Sequence, residues 1–259
     1  MLDGLRLSFG TLSLLPVGHP TSVDGRTWGR AMLVAPCVGV IVGAVAWAAA
    51  IGVTSLGGSS LLAAVAVVGG VAVLTRGLHL DGLADVADGL GSRRAPDDAR
   101  AVMRQSDVGP FGVAALTLAL LTQVAALAPL LSGDAGSAAV AVVGACVVSR
   151  AALPWTCRTG VAPADTSGLG SAVAGSVTTA AAAAAVLVSV GVVVAAEALL
   201  GGVTGAWHTA IAATIALLAA ELWRRHCSRR LGGVTGDVLG ATEQVAWTTF
   251  VVALSLALS

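Results

Sequence analysis

The chain has 259 residues, of which 56% are hydrophobic and 11% charged, and fourteen arginines balance fourteen Asp and Glu to a formal net charge of zero. Soluble domains carry about a quarter of their residues as charges, so this chain lacks the polar side chains to cover a soluble globule. That excludes a soluble enzyme, a nucleic-acid binder with a basic face and a disordered linker. It predicts an all-α, polytopic helical membrane protein, folded as one integral domain over residues 1–259 in the lipid bilayer.

Residues 1–15 set Leu2, Leu5, Leu7, Phe9 and Leu12 against polar positions. That pattern suits a short helix lying at the membrane interface, or a simple lead-in. Asp3 and Arg6 flank a short apolar stretch that Pro16 ends, which is not a secretion signal. Seven apolar runs then follow over 31–53, 60–78, 109–131, 137–155, 172–198, 206–223 and 238–258. They are continuously apolar rather than alternating, which favours helices over barrel strands. Gly39 and Gly43 form a small-xxx-small pair suited to close helix contact. The four cysteines include no CxxC pair, so neither a disulfide framework nor a zinc site is expected.

All the arginines fall on one side of a seven-span arrangement, and the opposite connections hold only Asp134 and Glu197 as charges. The positive-inside rule predicts a cytoplasmic N-terminus, cytoplasmic motif segments at 76–109 and 224–243, and a C-terminus outside.

The first motif segment reads His79-Leu-Asp81-Gly-Leu-Ala-Asp85-Val-Ala-Asp88-Gly89. Its aspartates are spaced i, i+4, i+7, which places them on one face of a helix. Like charges so close repel unless a cation sits among them. Hard oxygen donors near phosphates suit Mg²⁺. The bland alternative is a solvated polar face. His79 either caps the span or takes a proton.

The second segment reads Arg229-Arg230-Leu-Gly232-Gly233-Val-Thr235-Gly236-Asp237, with Glu243 further into the last run. A glycine-rich turn before a helix can present backbone N–H groups to an anion. There is no Lys and no P-loop string. Glu243 is expected to be paired, protonated or part of the site. Together the segments predict a cytoplasmic-face site in which Asp81, Asp85, Asp88 and Asp237 hold a metal. Asp81, Asp85, Asp88 and His79 are the expected catalytic groups. Arg93, Arg94, Arg104, Arg229, Arg230, Gly232, Gly233, Thr235, Gly236 and Glu243 are the expected substrate contacts. Such a set suits phosphoryl transfer.

The strings His79–Gly89 and Leu231–Ala241, with Leu12–Val17, Pro36, Gly39, Met103-Arg104, Ser106, Gly109 and Gly168-Leu169-Gly170, resemble the cobalamin synthase family over nearly the whole chain. The resemblance implies an adenosylcobinamide-GDP ribazoletransferase of the bacterial inner membrane. The hydroxyl of α-ribazole or its 5′-phosphate would attack the diphosphate of adenosylcobinamide-GDP, with Mg²⁺ as cofactor and GMP leaving. This chain departs from the family pattern by having no Arg between Arg6 and Arg26, and at Gln105, Asp107 and Ser167. Asp85-xx-Asp88-Gly89 followed by Arg93 is also spaced like the opening motif of CDP-alcohol phosphotransferases. The alternatives are a transporter with acidic ion or proton relays and a lipid-alcohol phosphotransferase. Self-association and association with other cobamide-pathway enzymes stay open.

Overall fold

The structure, a computed structural model, describes residues 2–258. In chain order its helices are α1 (Leu2–Leu12), α2 (Gly25–Ser55), α3 (Ser60–Leu74), α4 (Leu78–Gly91), α5 (Pro96–Met103), α6 (Pro110–Leu130), α7 (Ala135–Thr156), α8 (Gly168–Val173), α9 (Thr179–Leu200), α10 (Gly202–Leu231) and α11 (Gly236–Leu258). The chain is a polytopic helical membrane protein.

Local sequence sets the helix starts. The Asp24 side chain accepts from the Thr27 backbone N–H at the head of α2, and Asp134 does the same for Ser137 at the head of α7. Ser59 and Thr178 cap α3 and α9 in the same way. Each cap stands just before an apolar run, which is what ends the preceding loop.

Five helices are long and apolar enough to span a membrane: α2, α6, α7, α9 and α10. The count reaches six if α3 and α4, bent by 88° at their junction, form one broken span. The expected second run is thus a 15-residue helix that stops at the Thr75 cap. Gly77, at φ 67°, turns the chain before α4. We take α4 as lying outside the spanning segments. The seventh run is α11, whose first half carries Asp237, Glu243 and Gln244 and so falls short in apolarity. Two run boundaries also differ. α9 starts at Thr179 rather than 172, because Val177 pairs with Arg158 in an isolated bridge. α10 continues past 223 to Leu231 as a polar extension.

The apolar core is nearly continuous, and α7 is enclosed while α6 and α9 present most of their surface outward. Gly39 and Gly43 lie against the α7 backbone at Cys146 and Val143, so a Cβ at either would strike that helix. α1 packs on α2, with Gly4 against Arg30. The arginine pattern needs one correction. Arg150 is not a loop charge. It is fully buried in α7 and paired with Glu243 at 3.1 Å. Arg224 and Arg225, which the sequence suggests serve only orientation, both grip Glu221. Arg158 joins them on Glu221 and stacks over Trp155.

Candidate active site

The site is built on the crossing of α4 and α11. Gly82 sits against the Asp237 backbone and Gly240 against the His79 backbone, so neither position has room for a side chain. This close approach brings the two acidic motif segments together. Beside it opens a cavity of about 630 Å³. His79, Asp81, Arg104, Thr235, Gly236 and Asp237 line it, as do Leu12 of α1, Met32 and Leu153. Its lining therefore combines carboxylates with apolar side chains.

Asp81 is exposed, Asp85 half-buried and Asp88 buried, so the expected single face grades from solvent to core. Asp85 has no hydrogen-bond donor or cation among the described residues. Burial, then the charges of Asp81, Asp237 and Asp88, push its carboxyl up to about 7. Asp88 differs. Its two oxygens accept from the backbone N–H groups of Gly109 (2.8 Å) and Gly112 (3.0 Å). It caps α6 from a distance, which sets it apart from Asp81 and Asp85.

Among the described residues, no three His, Cys, Asp or Glu side chains converge on one metal position. The donor set still suits Mg²⁺. That ion commonly takes one or two carboxylates and keeps its remaining positions for water and substrate phosphate. Asp81 and Asp237 supply hard oxygens at the cavity, and Asp85 lies one turn along α4 from Asp81, its acid raised first by burial and then by the charges of Asp81, Asp237 and Asp88.

The glycine-rich turn has another use than the expected one. Gly232, at φ 83°, ends α10, and Gly233 has its Cα against the Pro163 and Ala164 backbone. The Val234 N–H is taken by the Ala162 carbonyl at 3.0 Å. The turn thus lets segment 162–164 pair with Val234, whose N–H is occupied by that pairing. Thr235 caps α11 by accepting from the Val238 N–H at 3.1 Å. Arg93, Arg94, Arg229 and Arg230 are exposed and do not line the cavity. Glu243 is fully buried on Arg150 and Ser149, away from the cavity wall.

Two residues outside the expected set contribute. Arg100 is buried in α5. Its Nε donates to Asp165 (3.1 Å), Nη1 to the Leu231 carbonyl (2.5 Å) and Nη2 to Asp97 (2.5 Å). It ties α5, the end of α10 and segment 165–171 into one wall. Asp165 also faces Arg104 at 3.6 Å. Arg100 was legible as the inner face of an amphipathic turn, since Ala99, Arg100 and Met103 are its buried residues. Asp165 has no motif of its own, although it adjoins Gly168-Leu169-Gly170.

Residues 4–255 match the sequence profile of the family described as cobalamin-5-phosphate synthase, CobS. The chain belongs to that family. A Frankia casuarinae protein named adenosylcobinamide-GDP ribazoletransferase is 39% identical, over 99% of this chain and 96% of its own. Proteins of the same name from Corynebacterium efficiens (36% identical, 93% and 86% covered) and Sinorhizobium medicae (34%, 99% and 97%) are also similar. No solved structure matches. The matched region contains both halves of the site, since the His79–Gly89 and Leu231–Ala241 strings meet at its α4–α11 crossing.

Proposed function

We propose that this CobS chain is an adenosylcobinamide-GDP ribazoletransferase. It transfers the adenosylcobinamide phosphate group to α-ribazole or α-ribazole 5′-phosphate. The acceptor hydroxyl oxygen forms a bond to the phosphorus on the cobinamide side. The bond from that phosphorus to the bridging oxygen breaks, GMP leaves with the electron pair, and the hydroxyl proton passes to a base. The observation that carries this reading is the meeting of the two acidic strings at one cavity in a chain whose relatives bear that name over nearly full length.

One or two of Asp81, Asp85 and Asp237 would hold Mg²⁺, which would supply charge neutralisation at the diphosphate. Arg104 is exposed, and at 3.6 Å its contact with Asp165 is loose enough to exchange for a phosphate oxygen. His79 is buried and held neutral, its value lowered to about 4 chiefly by burial. A neutral ring can accept a hydrogen bond from the incoming hydroxyl. Apolar lining from Leu12, Met32 and Leu153 would reduce the water around the reacting diphosphate. The inner membrane is the proposed location, with the N-terminus and the cavity on the cytoplasmic side.

Purified protein in nanodiscs, given adenosylcobinamide-GDP, α-ribazole and Mg²⁺, should release GMP. EDTA should stop the release. Absence of GMP with both acceptors and metal present would overturn the assignment.

A further inference from the structure

Behind the cavity wall lies a buried polar chain that the transfer reaction does not require. Arg150 Nη1 contacts Glu243 at 3.1 Å, and both side chains are fully buried. Ser149 donates to Glu243 Oε1 at 2.7 Å. Gln244 donates to Glu243 Oε2 at 3.2 Å, and Gln123 then links Gln244 to Thr248. The chain crosses α7, α11 and α6. Burying an ion pair in a bilayer protein is expensive, and such groups persist mainly where they serve a site.

His79 is the polar group between this chain and the cavity. It lines the cavity, is only 2% exposed, and neither ring nitrogen has a partner. Its backbone lies on Gly240, and Glu243 stands one turn further along the same side of α11. Arg150 likewise keeps Nε and Nη2 unpartnered at complete burial. Buried donors of this kind are ordinarily satisfied by ordered water.

We infer that Glu243, fixed by Arg150 and Ser149, is a positioning residue that reaches His79 through buried water and holds its ring in one tautomer. One ring N–H then points toward Glu243, and the other nitrogen faces the cavity as a bare acceptor. The logic is that of carboxylates that orient a functional imidazole from behind. The kinetic consequence rests on the transferase reading, but the ring's state does not.

The test uses full-length protein labelled with ¹⁵N-histidine in nanodiscs. The chain has four histidines, and the His79 signals are assigned by their loss in His79→Gln. Wild type should show one protonated and one bare His79 nitrogen, and Glu243→Gln should show both nitrogens averaged between tautomers. Unchanged His79 shifts in Glu243→Gln overturn the inference. If that variant does not fold, Ser149→Ala keeps the ion pair and should shift the same signals less. No shift there is equally fatal. In GMP release, Glu243→Gln should lower kcat about tenfold with little change in KM. It should add nothing in the His79→Gln background, whereas additive losses mark a role independent of His79. Wild type that releases no GMP but shows the tautomer change would sink the transferase reading and leave this one standing.

Discussion

At the C-terminal end of α4, Asp88 places both carboxylate oxygens on backbone N–H groups of α6. Nearer the N-terminal end of the same helix, Asp81 and Asp85 meet no donor among the described residues, and the charges on Asp85 are those of Asp81, Asp237 and Asp88. Residue type and helix face are the same, so the neighbours make the difference. Gly109 and Gly112 let the start of α6 come so close that a Cβ at either would strike Asp88. At the other end the neighbours are a cavity and a third carboxylate. A carboxylate whose acceptors are filled by backbone fastens two helices. One facing only like charges needs a cation.

Exchanging the two kinds of aspartate is the sharpest way to break this comparison. Asp85→Asn should lower GMP release by about 10²–10³-fold, the scale for losing one electrostatic contributor to a transfer site. Its thermal midpoint should be unchanged or higher, because a repelled charge is gone. Asp88→Ala should act first on the fold. It strands one buried and one part-buried N–H group, whose bonds to a charged acceptor are each worth about 1.5–3 kcal/mol. Thermal unfolding in detergent, run beside the activity assay, separates the outcomes. A stable but inactive Asp88→Ala protein would return Asp88 to the site.

The α4–α11 crossing offers a second test of the same geometry. Gly240→Val crowds the His79 Cα, which would lie 3.2 Å from the new Cβ. Overpacking of this sort costs about 1–3 kcal/mol, and here the shift would separate Asp81 from Asp237. Activity should fall well beyond what the lost stability explains. Gly69→Val serves as control, since nothing lies within 4 Å of its missing Cβ.

The bare end of α4 should also give itself away through pH. Asp85 titrates near 7 in the fold against an ordinary value of 3.8. Its protonated form is the one the fold favours. Its contribution is therefore complete below about pH 4 and lost as pH rises through about 7. Without divalent cation the thermal midpoint should fall across that window, less so in Asp85→Asn. Mg²⁺ should restore most of the loss at pH 8. Equal pH dependence in wild type and Asp85→Asn would remove Asp85 as the source. The effect is small because the side chain is only half-buried.

Much of this was legible in the chain. The apolar runs give the long helices, and Gly39 and Gly43 give a close helix contact, though not that its partner is α7. The spacing of Asp81, Asp85 and Asp88 gives their shared helix but not their partners, because partners come from distant segments. The tie from Asp88 to α6 spans more than twenty residues, and that from Arg150 to Glu243 spans more than ninety. Arg150 looked like an orientation charge for the same reason. Its acid sits seven residues into the last helix, and no local pattern joins them. The glycines at 232 and 233 misled differently. A turn rich in glycine signals close approach, but not whether a phosphate or another stretch of backbone approaches.

The arginines provide the finest division between site and scaffold. Arg104 lines the cavity, whereas Arg229 and Arg230 are exposed outside it. A phosphate contact at the cavity rim adds binding energy to ground state and transition state alike. Arg104→Ala should therefore raise KM for adenosylcobinamide-GDP several-fold with kcat nearly kept. Arg229→Ala and Arg230→Ala act only through solvent, where the Debye length at physiological salt is about 8 Å. Their KM should move by less than about twofold, and the change should vanish as salt is raised. A larger, salt-resistant effect at either would mean that the substrate extends beyond the cavity and lies along the end of α10.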